Sequence, residues 1–169
     1  KMLVCSSEGL KYEDEPWGNQ NLLEAFGPFF HNILKGNIIY NVGTIAGEFD
    51  YVKDLLLMIF QMSINRPIPI VDQAVFNLLI QQEPYKDVIH KAANKDRWAV
   101  QLGTSLAAVK SGHGDIGKIC QQNPTELISY QMKYTDDQPD VDNLDFTIIH
   151  QYDRVNDLKD KIEKLYGDM

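Results

Sequence analysis

IIYNVGTIAGEFDYVKDLLLMIFQMS, residues 38–63, holds both periodicities from which an α/β fold is built. The first three residues, Ile38, Ile39 and Tyr40, are strand formers. They run into Asn41-Val42-Gly43, which reads as the end of a short strand. Two glycines, Gly43 and Gly47, then let the backbone approach a ligand closely. From residue 48 the pattern changes. Val52, Leu55, Leu56, Ile59 and Phe60 recur at helical spacing, so the sequence predicts a helix over 48–63 with these five on its buried side. Amides near that helix start can face an anion. The segment is neither a GK[ST] phosphate loop nor a GxGxxG turn, and its plain alternative is two glycines serving a turn and a loop.

Upstream, residues 2–5 (MLVC) suit a short buried strand, and the segment SSEGLKYEDEPWGNQ reads as a polar loop. A short helix is expected from Asn21, which has capping-box spacing to Glu24, and Gly27-Pro28 stops it. Downstream, the prolines at 67 and 69 end the long helix, and a second helix begins at Asp72 in the N-cap position, with Val75, Leu78 and Leu79 on one side. Residues 98–102 suit a strand, as do 127–134. Glycines 112, 114 and 117 mark a loop, and 135–145 reads as an acidic turn. A strand over 146–149 and a helix over about 155–166 close the chain, the helix carrying Val155, Leu158, Ile162 and Leu165. Short strands alternating with helices indicate an α/β domain.

The 169 residues carry a formal charge of −8. That balance opposes a general nucleic-acid binder, which needs a basic stripe, and opposes docking on anionic lipid. No apolar run approaches the ~18 residues of a membrane span. The opening KMLVCSSEG lacks the apolar core of a signal peptide. Cytoplasm is therefore the default expectation, with Cys5 and Cys120 as reduced thiols.

Three constellations carry chemistry. In FTIIHQYDR, residues 146–154, a strand delivers His150 where ligands of α/β sheets gather. A neutral imidazole there can ligate a divalent metal, and the forked guanidinium of Arg154 can reach a phosphate; the plain alternative is a strand cap and a surface Asp153–Arg154 pair. Asp153 also permits a hydrolytic reading, but no GxSxG elbow accompanies it. In VDQAVFN, residues 71–77, the carboxylate and amide of Asp72 and Gln73 stand at a helix start. They suit sugar hydroxyls, or helix capping alone. In RWAVQLG, residues 97–103, Trp98 is a core residue or a sugar-stacking wall, and Gln101 is polar within an apolar stretch.

The order of these segments resembles the C-terminal half of nucleotide-sugar-dependent glycosyltransferases of the GT-A fold, in particular the galactosyltransferase and glycogenin-like group. Asn41-Val42-Gly43 matches that family's Asn-Ala-Gly segment, Asp72-Gln73 its Asp-Gln pair, and His150 to Arg154 the stretch around its late histidine. The chain is still more similar to predicted transferases with EPWG, YNxGTIAG, DQA, WxxQLGT and IHQYDR segments, which here are residues 15–18, 40–47, 72–74, 98–104 and 149–154. The likeness runs over about residues 3–155, except for loops between 105 and 145.

The resemblance implies a GT-A-like mixed sheet flanked by helices, with residues 1–169 forming a single domain or the C-terminal portion of a larger Rossmann-like domain. It implies that His150 ligates Mn²⁺ or Mg²⁺ on the donor diphosphate and that Arg154 touches the leaving phosphates. Asn41, Gly43 and Thr44, with Trp98 and Gln101, would line the sugar site. Asp72 and Gln73 would hold the transferred sugar near its reacting carbon. The implied partners are a nucleotide-sugar donor and a carbohydrate, protein or lipid acceptor. The family's Lys-Pro-Trp stretch has no counterpart after His150. Its Asp-x-Asp motif is expected upstream of Lys1, because Asp140-Val141-Asp142 follows DDQP rather than an apolar strand and reads as a solvated loop. A non-catalytic sugar-binding or protein-interaction module on the same scaffold is the alternative.

Overall fold

The structure, a computed structural model, describes residues 1–104, 146–154, 159, 160, 163 and 164. The chain divides into two compact units, Lys1–Ala93 and Asn94–Met169. The first is mixed α/β. Its strands are β1 (Leu3–Lys11), β2 (Ile38–Gly47) and β3 (Ile89–Ala92). Its helices are α1 (Pro16–Leu34), α2 (Phe49–Ser63), α3 (Asp72–Leu79) and the single turn α4 (Tyr85–Val88). The sheet runs β2-β1-β3, with β1 antiparallel to β2 and parallel to β3. In the second unit β4 (Ala99–Gln101) pairs in parallel with β5 (Ile148–His150).

The mixed sheet and its flanking helices are as expected, and α2 and α3 lie where their periodicities put them. Four local expectations are corrected. β1 does not stop at residue 5. It continues through Ser6, Ser7 and Glu8, all buried. Their polar groups find partners inside the fold, so a polar stretch is held as strand against its composition. β2 likewise runs on through Asn41-Val42-Gly43 to Gly47, where a side-chain carbon would collide with the Met2 carbonyl and with Leu3. α1 begins at Pro16, not Asn21. The Glu15 carboxylate caps it by accepting from the Trp17 and Gly18 amides at 3.2 and 2.5 Å. Gly27 (φ 73°) and Pro28 kink this helix rather than end it, and Arg66 donates to the Ala25 carbonyl at 3.4 Å while lying over the Phe26 ring. Finally, Asp72 is the first residue of α3 and makes no capping bond; Val71 occupies the cap.

The core of this unit gathers Leu3, Cys5, Ile39 and Ile89 from the sheet, Leu22 from α1, Leu55 and Ile59 from α2, and Val75 and Phe76 from α3. Burying each such side chain stabilises by about 1.5–3 kcal/mol. Two of the five residues expected to face inward from α2 do not: Leu56 is 50% and Phe60 62% exposed. The apolar arc of α2 is wider than the core it covers. β3 had no sequence signal. Four residues alternating IHKA inside a stretch without clean period are too short to recognise, and pairing with β1 makes them a strand. The expected strand over 127–134, the glycine loop at 112–117, the acidic turn at 135–145 and Cys120 lie outside the described residues. Of the expected last helix, residues 159, 160, 163 and 164 are described and are helical.

Among the described residues, the outer edge of β2 is closed by side chains rather than by another strand. Asn77 accepts from the Tyr40 amide at 2.8 Å and donates to the Tyr40 carbonyl at 2.8 Å. One turn earlier on α3, Gln73 accepts from the Val42 amide at 3.3 Å. The match is metric. Four helical residues rise about 6 Å, and two strand residues span about 6.6 Å. Asn77→Leu, which keeps the bulk and removes the amide, should remove both of these bonds to the Tyr40 backbone and lower unfolding free energy by about 2–4 kcal/mol in urea titration. A loss within about 0.5 kcal/mol, as for an ordinary surface change, would show that the bridge is dispensable.

Cys5 sits fully enclosed in β1. Burial pushes its thiol from an ordinary 9.0 up to about 12, with Lys91 acting in the opposite sense. The unfolded chain therefore ionises this thiol first, and stability contributed by the protonated form is lost as pH rises from about 9 to 12. Wild type should lose about 2 kcal/mol more than Cys5→Ala between about pH 8 and pH 10.5, measured by denaturant titration. Parallel pH profiles would contradict it.

Candidate functional site

The most polar part of the first unit's interior lies where β1 and β2 fall out of register. Cys5 faces Ile45 and Ser7 faces Tyr40, so a single residue of β1 stands against residues 41–44 of β2. On the other side, Ser7 faces Tyr40 and Lys11 faces Ile38, so residues 8–10 of β1 stand against Ile39 alone. The strands thus bulge in opposite senses at adjoining places. Gly9, at φ 74°, supplies the left-handed turn of the β1 bulge and donates its amide to the Ser7 hydroxyl at 2.8 Å. In the β2 bulge the Asn41 side-chain oxygen accepts from the Gly43 amide at 2.8 Å, closing an Asx turn. Bulges of this kind re-aim side chains and are frequent beside functional sites.

The two bulges are joined by Glu8. Its Oε1 accepts from Asn41 Nδ2 at 2.8 Å and from Gln73 Nε2 at 2.8 Å. Glu8 is 5% and Asn41 7% exposed. The same carboxylate adds to the effect of burial in raising the Tyr12 phenol above its ordinary value. Thr44 turns its hydroxyl inward onto Ser6 Oγ at 2.5 Å. Gly43 and Asp72, by contrast, are exposed. Asn41, Gly43, Thr44, Asp72 and Gln73, singled out separately in the sequence, are thus parts of one assembly: the β2 bulge and the α3 start packed on it. Glu8 was missed. It lies in a stretch that reads as loop, and only the left-handed Gly9 after it hints at a bulge.

The second unit holds the other candidates. The β4–β5 register sets Gln101 opposite His150, and Gln101 Oε1 lies 2.6 Å from His150 Nδ1. A carbonyl oxygen only accepts, so Nδ1 carries the proton and Nε2 of the neutral ring keeps its lone pair. Gln101 is completely buried, which explains the polar residue within WAVQLG: it orients an imidazole. Gln151 follows with φ 59°, and a side-chain carbon on Gly103 would collide with its amide oxygen. The chain then makes a short 3-10 turn, Tyr152–Arg154, with Asp153 and Arg154 exposed. Trp98 is half-buried just before β4.

The chain matches no family model, no curated protein and no solved structure. Among the described residues no three His, Cys, Asp or Glu side chains are grouped to hold a metal, and no helix is long and apolar enough to cross a membrane. In its neutral form the His150 imidazole has one nitrogen committed to a buried amide and a lone pair on the other.

The tautomer is directly measurable. In long-range ¹H–¹⁵N spectra of the neutral imidazole, His150 should show the proton on Nδ1. Gln101→Leu removes the acceptor and should move the population toward the Nε2-protonated form that free histidine favours. An unchanged tautomer in that variant would separate Gln101 from the orientation of the ring.

Proposed function

We propose that this chain serves a metal-dependent GT-A-type glycosyltransferase activity, moving a sugar from a nucleotide-diphosphate donor to an acceptor hydroxyl. The observation that carries the reading is the imidazole of His150, held at a strand end by a buried glutamine so that Nε2 offers a lone pair. That is how ligating histidines are prepared in general. The ordered segments add support, as does the polar assembly of Glu8, Asn41 and Gln73 beneath the exposed Gly43 and Asp72.

In this reading His150 supplies one ligand to Mn²⁺ or Mg²⁺. Among the described residues no three His, Cys, Asp or Glu side chains are grouped around it, and the Asp-x-Asp motif that the resemblance implies would supply further ligands. The metal, when bound, offsets negative charge on the nucleoside diphosphate. Arg154, exposed on its 3-10 turn, suits the phosphates. Asp72 and the bulge at Asn41–Gly43 suit sugar hydroxyls.

A non-catalytic module on the same scaffold is the second reading. It is favoured by the engagement of Gln73, Asn41 and Thr44 with the fold's own groups. Nucleotide binding separates the two. The full-length natural protein, titrated calorimetrically with UDP and with GDP in the presence and absence of Mn²⁺, should bind one of them in a metal-dependent manner. His150→Ala should weaken that binding by about tenfold or more, the loss expected for a metal ligand or its support. Metal affinity unchanged in the variant would remove His150 from the site. Absence of nucleotide binding in wild type would favour the module.

A further inference from the structure

We propose that Glu8 is the positioning residue of the sugar-binding assembly: its carboxylate dictates which way the Asn41 and Gln73 amides face, and leaves Asp72 as the group on α3 that meets the sugar. The inference rests on the transferase reading and deepens it.

An asparagine or glutamine can present either its oxygen or its nitrogen in a given direction, and a carboxylate resolves that choice because it only accepts. Asn41 and Gln73 both aim their nitrogens at the same oxygen of Glu8, each at 2.8 Å. Their oxygens must then point away from Glu8, and each meets a backbone amide of the bulge. Asn41 Oδ1 takes Gly43 N at 2.8 Å, and Gln73 Oε1 takes Val42 N at 3.3 Å. One carboxylate therefore fixes both amide orientations, and through them the conformation of the bulge and the seat of α3 upon it. Glu8 comes from the opposing bulge, at a place where Gly9 adopts φ 74°. Taking a carboxylate out of water is costly unless its hydrogen bonds are supplied, so the donors around Glu8 are a condition of its being there.

The same geometry divides the labour within Asp72-Gln73. Gln73 spends both ends of its amide on the fold, donating to Glu8 and accepting from Val42. Asp72 is exposed and makes no capping bond within α3. It is the member of the pair whose carboxylate faces solvent beside the bulge. Gln73 is accordingly a brace, and the sugar-directed role that the Asp-Gln resemblance assigns to both falls to Asp72.

The test exchanges donor and acceptor. Asn41→Asp sets a second acceptor against Glu8 and breaks the link. Adding Glu8→Gln together with Gln73→Glu restores it with roles reversed, the two N–H groups of the amide at position 8 donating to the carboxylates at 41 and 73, which still accept from the Gly43 and Val42 amides. The full-length protein is titrated with UDP, and separately with UDP-glucose, UDP-galactose and GDP-mannose, each with Mn²⁺, and thermal unfolding is followed in parallel. Asn41→Asp should weaken binding of the preferred nucleotide sugar by about tenfold while leaving the free nucleotide within about twofold; the triple variant should recover the sugar to within about threefold. Asp72→Asn should cost the sugar about tenfold with no change in thermal midpoint.

A triple variant that regains wild-type stability without regaining sugar affinity would overturn the proposal, because position 8 would then serve the fold alone. Equal losses of nucleotide and nucleotide sugar in Asn41→Asp would do the same. Unchanged sugar affinity in Asp72→Asn would return the role to another residue and overturn the assignment on α3. A wild type that binds none of the nucleotides sinks the transferase reading itself, and the proposal with it. That result differs from all the others, in which wild type binds.

Discussion

The first unit depends on how the free edge of β2 is closed. A strand edge exposes a row of amides and carbonyls that must be paired, covered or solvated. Here the partner is a helix, and a helix presents no backbone donors sideways. α3 meets the demand with side-chain amides one turn apart, Asn77 on Tyr40 and Gln73 on Val42. The residues between them on α3 remain apolar, with Ala74, Val75 and Phe76 in the core. A single helix thus packs hydrophobically and hydrogen-bonds laterally. The equal spacing of one helical turn and one strand pleat pair allows both at once.

That constraint also explains where the candidate site lies. Gln73 reaches Val42 because β2 leaves its register just there, and β2 can leave its register because Asn41 folds its own turn back onto Gly43. Glu8 completes the arrangement from the neighbouring strand. Bulge, helix start and buried carboxylate form one cooperative unit, and no member of it can move alone. The groups left at its surface, Gly43 and Asp72, are held by a rigid base, which is the condition for a precise binding site.

Much of this was legible in the sequence, but unevenly. The helical period of residues 48–63 and the start of α3 at Asp72 were plain, because both rest on repeated apolar spacing. The Asn-Val-Gly irregularity was visible as a break, though it proved to be a bulge within β2 rather than the end of it. What escaped was everything held by polar pairing at long range. SSEG looks like loop because Ser, Glu and Gly disfavour strand; its strand state depends on Thr44, Asn41 and Gln73, which lie 38, 33 and 65 residues away from their partners. No local window contains that information. The exposed Leu56 and Phe60 failed for the complementary reason: periodicity reports which residues could share a face, not how much of that face the core covers.

Several of the segments singled out in the sequence have a local structural role. Glu15-Pro16-Trp17-Gly18 starts a helix, with the Glu15 carboxylate on the Trp17 and Gly18 amides. Residues 40–47 are a bulged strand. Gln73 and Asn77 seal its edge. Residues 99–101 and 148–150 are paired strands. A scaffold kept only for shape would need all of these, so their presence weighs little between a transferase and an inert module. Two features are different, because packing alone does not require them. A strand edge can be capped by neutral amides, yet a carboxylate is buried at the bulge at a desolvation cost. A strand pair can be filled by apolar side chains, yet a buried glutamine faces a histidine and sets its tautomer. Both arrangements lower the stability available from an apolar filling while fixing the direction of a polar group. The case for chemistry in this protein stands on that exchange, at Glu8 and at His150, rather than on the segments that first suggested it.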